Sequence, residues 1–242
     1  MTVRLVVLTG AGVSADSGVA TFRGGGGLWE GHRVEDVATP EAWVRDPKLV
    51  WRFYQMRRAA LLEVEPNAAH LALARFEQRM EEAGNELTLV SQNVDDLHQR
   101  AGSRVISMHG SLTRLVCEVC STSKQGLDDL DGERYVPCKA CGNARMRPDI
   151  VWFGEMPMEM DSIELALSRC THFLSLGTSG VVYPAAGFLH AARSVGAETF
   201  VASLDEPENL DPRDEFLPGR AVDVVPALLE RWAGEWGLRT PG

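Results

Sequence analysis

Val3-Arg4-Leu5-Val6-Val7-Leu8-Thr9-Gly10-Ala11-Gly12-Val13-Ser14-Ala15 decides how the rest of the chain is read. Apart from Arg4 and Thr9, the run Val3 to Thr9 is apolar, and it is β-prone throughout, as expected of a strand buried in a parallel sheet. It leads into a G-x-G-x-x-A turn, the dinucleotide fingerprint between a strand and a helix. Glycine lets backbone approach a pyrophosphate, and the amides of a helix start favour its charge. A tight turn with no ligand gives the same pattern, so this motif alone is weak. An ordinary Rossmann unit also has a second strand ending in an acidic residue about 20 positions on. Thr21-Phe22-Arg23-Gly24-Gly25-Gly26-Gly27-Leu28-Trp29 occupies that interval instead, and its glycines predict a mobile loop over part of the ligand.

Working outward, three further runs read as strands: Glu86 to Val90, Arg104 to Ser107 and Glu198 to Ser203. His172 to Leu176 is another, ending in Gly177-Thr178-Ser179-Gly180. In an open α/β sheet, ligands lie beyond the carboxyl ends of the strands. Ser91-Gln92-Asn93-Val94-Asp95-Asp96-Leu97-His98 follows one such end and offers two amides and a carboxylate. His109-Gly110 follows another, and histidine is suited to taking a proton near neutral pH. These residues equally suit a helix cap and a satisfied loop histidine.

Helices are expected from 34 to 62, with Pro40 and Pro47 in first turns, and from Ala68 to Ala83, capped by Asn67 and ended by Gly84. The remaining helices are expected over 94–101, 162–169, 184–195 and 226–236. Trp51, Tyr54, Arg57 and Arg58 fall three or four apart and share a helix face. That spacing is usually an amphipathic rim, although a phenol beside a guanidinium suits a carboxylate.

Cys117-x-x-Cys120 and Cys138-x-x-Cys141 have zinc-ribbon spacing. Four thiolates close a tetrahedron and leave no position for water, so the predicted metal is one structural Zn2+. The fifth cysteine, Cys170, is expected to be buried in or near a helix. Strand–helix alternation on both sides of the ribbon predicts an α/β fold: one Rossmann-type parallel sheet with a smaller zinc-ribbon and helical domain. Asp149 to Gly154 is expected to return to the main sheet. The sheet domain is assigned to 1–32, 67–110 and 149–242, the helical insertion to 33–66 and the ribbon to 111–148.

Of 242 residues, 45% are hydrophobic, enough for a sizeable core. The net charge of -10, with 34 acidic against 24 basic residues, disfavours sequence-independent nucleic-acid binding, so no direct nucleic-acid partner is expected. No segment is long and apolar enough for a signal or a membrane span. A soluble, cytoplasmic, monomeric protein with no membrane partner is expected.

Taken together, Gly10-Ala11-Gly12-Val13-Ser14, Thr21-Phe22-Arg23-Gly24, Gln92-Asn93-Val94-Asp95, His109-Gly110, the paired cysteines and Gly177-Thr178-Ser179 occur in an order that resembles the sirtuins. These are NAD-dependent protein-lysine deacylases, and the resemblance covers essentially the whole chain. Trp51 to Arg58 also looks like the class III type, which includes bacterial deacylases and desuccinylases. In that class a Tyr-x-x-Arg pair, matched by Tyr54 and Arg57, favours succinyl, malonyl or glutaryl groups. The resemblance implies removal of acetyl or succinyl groups from acylated lysines of protein substrates, giving nicotinamide, 2′-O-acyl-ADP-ribose and free lysine.

Residue by residue, the resemblance implies that Gly10, Ala11, Gly12 and Ser14 line the NAD phosphates and nearby ribose. Phe22, Arg23 and Trp29 would belong to the cofactor loop, with Phe22 shielding the reacting sugar. Gln92 and Asn93 would hold the nicotinamide ribose and its water, with Asn93 also catalytic, and Asp95 would hold the carboxamide. His109 would be the general base. Gly177, Thr178 and Ser179 would contact the adenosine side, and Ala221 the adenine. Val151, Trp152, Phe153 and Gly154 would pair by backbone with the substrate peptide. Many relatives carry Asn-x-Glu where this chain has Ser203-Leu204-Asp205, so Ser203 and Asp205 offer shorter arms to the adenosine ribose. The competing readings are a zinc-containing dehydrogenase, a mono-ADP-ribosyltransferase using the same NAD site, and a non-enzymatic zinc-ribbon module.

Overall fold

The computed structural model describes residues 2–20, 28–29 and 31–239. Phe22 and Arg23 therefore lie outside the described residues. In chain order, β1 (Arg4–Thr9) is followed by two short 3-10 turns, then the hairpin β2 (Leu28–Trp29) and β3 (His32–Arg33). Helices α1 (Val34–Val37), α2 (Pro40–Arg45), α3 (Pro47–Ala60) and α4 (Ala68–Glu82) come next. Then come β4 (Glu86–Ser91), α5 (Leu97–Ala101), β5 (Val105–Ser107), β6 (Gly110–Val116), β7 (Ser123–Gln125) and β8 (Arg147–Ile150). The chain finishes with α6 (Met160–Ser168), β9 (His172–Leu176), α7 (Phe188–Ser194), β10 (Glu198–Ser203), β11 (Glu215–Pro218) and α8 (Ala221–Glu235).

Six strands form one parallel sheet in the order β11-β10-β9-β1-β4-β5. The apolar residues of β1 are buried on both faces. One face is covered by α4 and α8 through Leu73, Phe76, Met80, Val225, Leu229 and Trp232. The other is covered by α6 and α7 through Ile163, Leu167 and Leu189. Successive strands run outward from β1 in both directions, so the switch of direction leaves a crevice at the carboxyl ends of β1, β4 and β9.

Beside this sheet stands a second core. Helices α1 to α3 pack on a three-stranded sheet of order β7-β6-β8 around Trp43, Trp51, Tyr54, Leu115 and Trp152. Thr39 accepts from the amide of Ala42 and Asp46 from that of Leu49, so each proline-led helix starts on a side-chain cap. Among the described residues, no helix is long and apolar enough to cross a membrane.

Five expectations change. The segment reaching Ile150 does not return to the main sheet: β8 pairs antiparallel with β6, Gly110 opposite Ile150. The glycine turn leads into 3-10 turns rather than a regular helix. Helix α5 begins at Leu97, because Asp95 accepts from the Leu97 amide and residues 92–96 stay an open loop. Strand β11, parallel to β10 at the sheet edge, is not among the strands expected from sequence. Helix α8 starts at Ala221 and carries Pro226 within its first turns.

Candidate active site

A cleft of about 630 Å³ runs from the ends of β1, β4 and β9 to the second core. Its floor is made of glycine. The amide of Gly12 donates to the carbonyl of Gly177 at 2.8 Å, so the turns after β1 and β9 touch. A Cβ on Gly10 would lie 2.8 Å from the Gly177 carbonyl oxygen, and one on Gly12 as close to Gly177 Cα. Any side chain here would push the turns apart and fill the trough, which answers why both positions are glycine.

Gln92, Asn93 and Asp95 reach the cleft from the loop after β4, and His109 from the loop after β5. The Nδ1 of His109 lies 2.9 Å from the backbone carbonyl of Gln92. A carbonyl only accepts, so Nδ1 carries the proton and Nε2 is left with a lone pair. Burial lowers the His109 pKa, partly opposed by that hydrogen bond, and keeps the ring neutral. Gln92 donates to the Thr178 hydroxyl at 3.1 Å and joins the β4 and β9 ends.

Ser14 does not line the cleft. It is fully buried behind the wall, where its hydroxyl donates to Asp95 Oδ2 at 3.0 Å and accepts from Asn93 Nδ2 at 3.1 Å. From this position it ties Asn93 and Asp95 together and supports the loop. Asp95 is buried, and desolvation raises its pKa, offset by bonds from the Leu97 amide and Ser14.

Beneath this loop lies a polar network that sequence reasoning missed. His70 Nδ1 accepts from the Asn67 amide at 3.2 Å, so its Nε2–H points to Ser14 Oγ at 3.4 Å. Thr9 donates to Ser91 at 3.0 Å, which leaves its oxygen to accept from His98 Nε2–H at 3.1 Å. Ser91 in turn accepts from the Asn93 amide. The two rings meet edge to face at 4.7 Å. Burial lowers His70 to about 4 and His98 to about 3, so both are neutral. One sequence signal existed: His70 stands three residues after Asn67 and completes its capping box.

At the other end of the cleft, Tyr54 and Arg57 project from α3, with Trp29 and Ala38 beside them. The Tyr54 hydroxyl accepts from the Trp152 indole at 2.9 Å, which leaves its own proton to donate. Burial pushes its pKa up to about 12, so the phenol stays protonated. Arg57 lies over Trp29, guanidinium carbon 4.1 Å from the ring centre. Arg58 points away and donates to the carbonyls of Leu112 and Gly126, a structural role.

Val151, Trp152, Phe153 and Gly154 form one wall. The Val151 amide donates to His109, the Trp152 amide to Glu155 and the Phe153 amide to Ala38. A peptide laid along this wall would therefore donate its own amides to the wall's carbonyls rather than accept from these amides. Ser179, Ser203, Asp205 and Ala221 line the far end, and Ser203 donates to its neighbour's carbonyl at Asp205. Asp16 and Arg220, an ion pair at 3.2 Å, also border the cleft and were not anticipated.

The ligand atoms of Cys117, Cys120, Cys138 and Cys141 all lie within 4.8 Å of one another, with two Sγ pairs at 3.6 Å. A tetrahedron with metal–sulfur bonds of about 2.3 Å has edges of roughly 3.8 Å, so the four thiols fit a metal ion. Cys170 is buried apart from them.

Fold and site define a nucleotide-binding α/β protein carrying a four-cysteine metal module. The model of the Sir2 family matches residues 10–184. The chain is 48% identical over 234 residues to the NAD-dependent protein deacylase of Pasteurella multocida (strain Pm70), covering 95% of this chain and 98% of that one. It is 49% identical over 245 residues to that of Yersinia pseudotuberculosis serotype I, covering 98% and 85%. Among solved structures it is similar to a Sir2 homolog–NAD complex, with TM-score 0.85, 37% identity and coverage of 96% and 90%. The chain belongs to the Sir2 family.

Proposed function

We propose that this protein is an NAD-dependent protein-lysine deacylase that removes acetyl groups and acidic acyl groups such as succinyl or malonyl. The reaction consumes NAD and water and yields free lysine, nicotinamide and 2′-O-acyl-ADP-ribose. When bound, NAD supplies an electrophilic anomeric carbon to the acyl oxygen. The carrying observation is that His109, its Nδ1 proton committed to the Gln92 carbonyl, borders the same cleft as Asn93, Asp95 and the glycine trough.

In this reading the Gly10–Gly12 and Gly177–Ser179 turns hold the phosphates and adenosine. Asn93 and Gln92 orient the ribose next to nicotinamide, and Asp95 receives the carboxamide. Nε2 of His109 accepts a proton from the ribose hydroxyls, and such positioned proton transfer contributes about 10²–10⁴-fold. The buried cleft keeps bulk water from the reacting carbon. Tyr54 and Arg57 bind the carboxylate of a succinyl or malonyl chain, the phenol donating one bond and the guanidinium a charged pair. The four cysteines hold one structural Zn2+ that takes no part in proton transfer. The assignment of the helical segment 33–66 and the ribbon 111–148 to one small domain belongs to this proposal, supported by their common core.

The test is mass spectrometry of acetyl- and succinyl-lysine peptides with and without NAD. Mass loss equal to the acyl group, only with NAD, is expected. NAD label transferred to protein without peptide deacylation would instead indicate an ADP-ribosyltransferase.

A further inference from the structure

We infer that Trp29 is a positioning residue for acyl specificity, its indole face aiming the Arg57 guanidinium along the cleft. This rests on the proposed reading that Tyr54 and Arg57 receive an acidic acyl chain.

The hairpin of β2 and β3 pairs Trp29 with His32. Both rings bear on Phe53 of α3, Trp29 at 5.3 Å and His32 at 5.5 Å, each edge to face. The hairpin thereby grips the helix one turn before Arg57. The guanidinium carbon of Arg57 sits 4.1 Å above the Trp29 ring centre, with Phe53 at 5.8 Å and Tyr54 at 5.9 Å. Among the described residues, three aromatic rings thus lie around this cation, the indole nearest.

A stacked guanidinium keeps its N–H donors, which lie in its own plane and not on its face. The ring occupies one face and shields it from water, and a planar, bidentate carboxylate would approach along the edge. Without the indole, the long arginine side chain regains rotamers and its fork loses a fixed direction. An acetyl group has no carboxylate, so it makes no use of that direction. The effect of Trp29 therefore lies in the choice between acyl groups, and it acts through Arg57.

The experiment compares Trp29→Leu, Trp29→Phe and Arg57→Met with the unaltered protein, reading kcat/KM on matched succinyl- and acetyl-lysine peptides. The ratio of the two divides out any common loss through cofactor binding or partial unfolding. Arg57→Met is expected to lower the succinyl-to-acetyl ratio. Trp29→Leu is expected to lower it roughly tenfold, through succinyl-peptide KM rather than kcat, as loss of a desolvated cation–π contact implies. Trp29→Phe keeps a ring face and should fall between. If Arg57→Met lowers the ratio while Trp29→Leu leaves it unchanged, the inference is overturned and the carboxylate reading stands. If Arg57→Met itself leaves the ratio unchanged, the reading falls and the inference with it.

Discussion

The paired histidines under the active-site loop make the stability of this protein depend on mild acid. His70 and His98 are fully or nearly fully buried, and burial depresses their pKa values to about 4 and about 3. In the unfolded chain each titrates near the ordinary value of 6.5. Above that pH both states carry neutral rings, and the pair costs nothing. Below it the unfolded chain binds protons that the fold refuses, so stability falls as pH drops and continues to fall until the folded pKa is reached. From pH 7 to pH 5 the rings stay neutral in the fold, and the loss is set by the unfolded pKa alone. It amounts to about 2 kcal/mol per ring, or ~4 kcal/mol for the pair.

His109 and His172 shift in the same direction, whereas Asp95 and Asp96, whose pKa values burial raises, act in the opposite one. The comparison that isolates one ring is therefore with His98→Gln, since the other groups are common to both proteins. Urea unfolding at pH 7 and pH 5 is the assay. With m of roughly 2–3 kcal/mol/M, the unaltered protein should lose about 0.7–1 M more midpoint between those pH values than the variant does. Equal losses in the two proteins, or no loss in either, would refute the argument that His98 is held neutral by burial.

Four further outcomes follow from the structure. His109→Ala should lower kcat for NAD-dependent deacylation by about 10²–10⁴-fold, and near-normal turnover would displace His109 as the base. In the unaltered protein the acid limb of kcat should lie below the ordinary histidine range, because burial lowers the His109 pKa and Nε2 stays unprotonated above it. Tyr54→Phe leaves the Trp152 indole N–H without its 2.9 Å acceptor. It should cost about 1–3 kcal/mol in chemical unfolding and weaken succinyl turnover more than acetyl turnover. Removing the metal with a strong chelator should release one Zn2+ per chain by elemental analysis and abolish slow amide exchange in β6 to β8, since Cys117 and Cys138 are core residues of that module.

Much of this fold was legible in short stretches. Strand β1, the proline-led helices with their Thr39 and Asp46 caps, and the strands before Gln92 and Gly177 follow from periodicity and capping, which act within a few residues. The cysteine spacing led to four sulfurs that do meet in space. Strand β8 differs from the sequence expectation because a short apolar run carries no label saying which sheet it joins. Its partner is set by Gly110, whose φ of +84° folds β6 back against Asp149 so tightly that any Cβ would strike that backbone.

What the sequence by itself determined is the set of local shapes and the inventory of chemical groups. Which groups became ligand-facing and which became supports was decided by tertiary packing alone. Ser14 reads as part of a phosphate turn, yet it ends up buried between Asn93, Asp95 and His70, which stand 79, 81 and 56 residues away. Likewise Arg57 and Arg58 are neighbours with the same chemistry. One reaches the cleft and the other is fixed on two carbonyls, because a helix turns its side chains by about 100° per residue and the walls on its two sides come from distant chain.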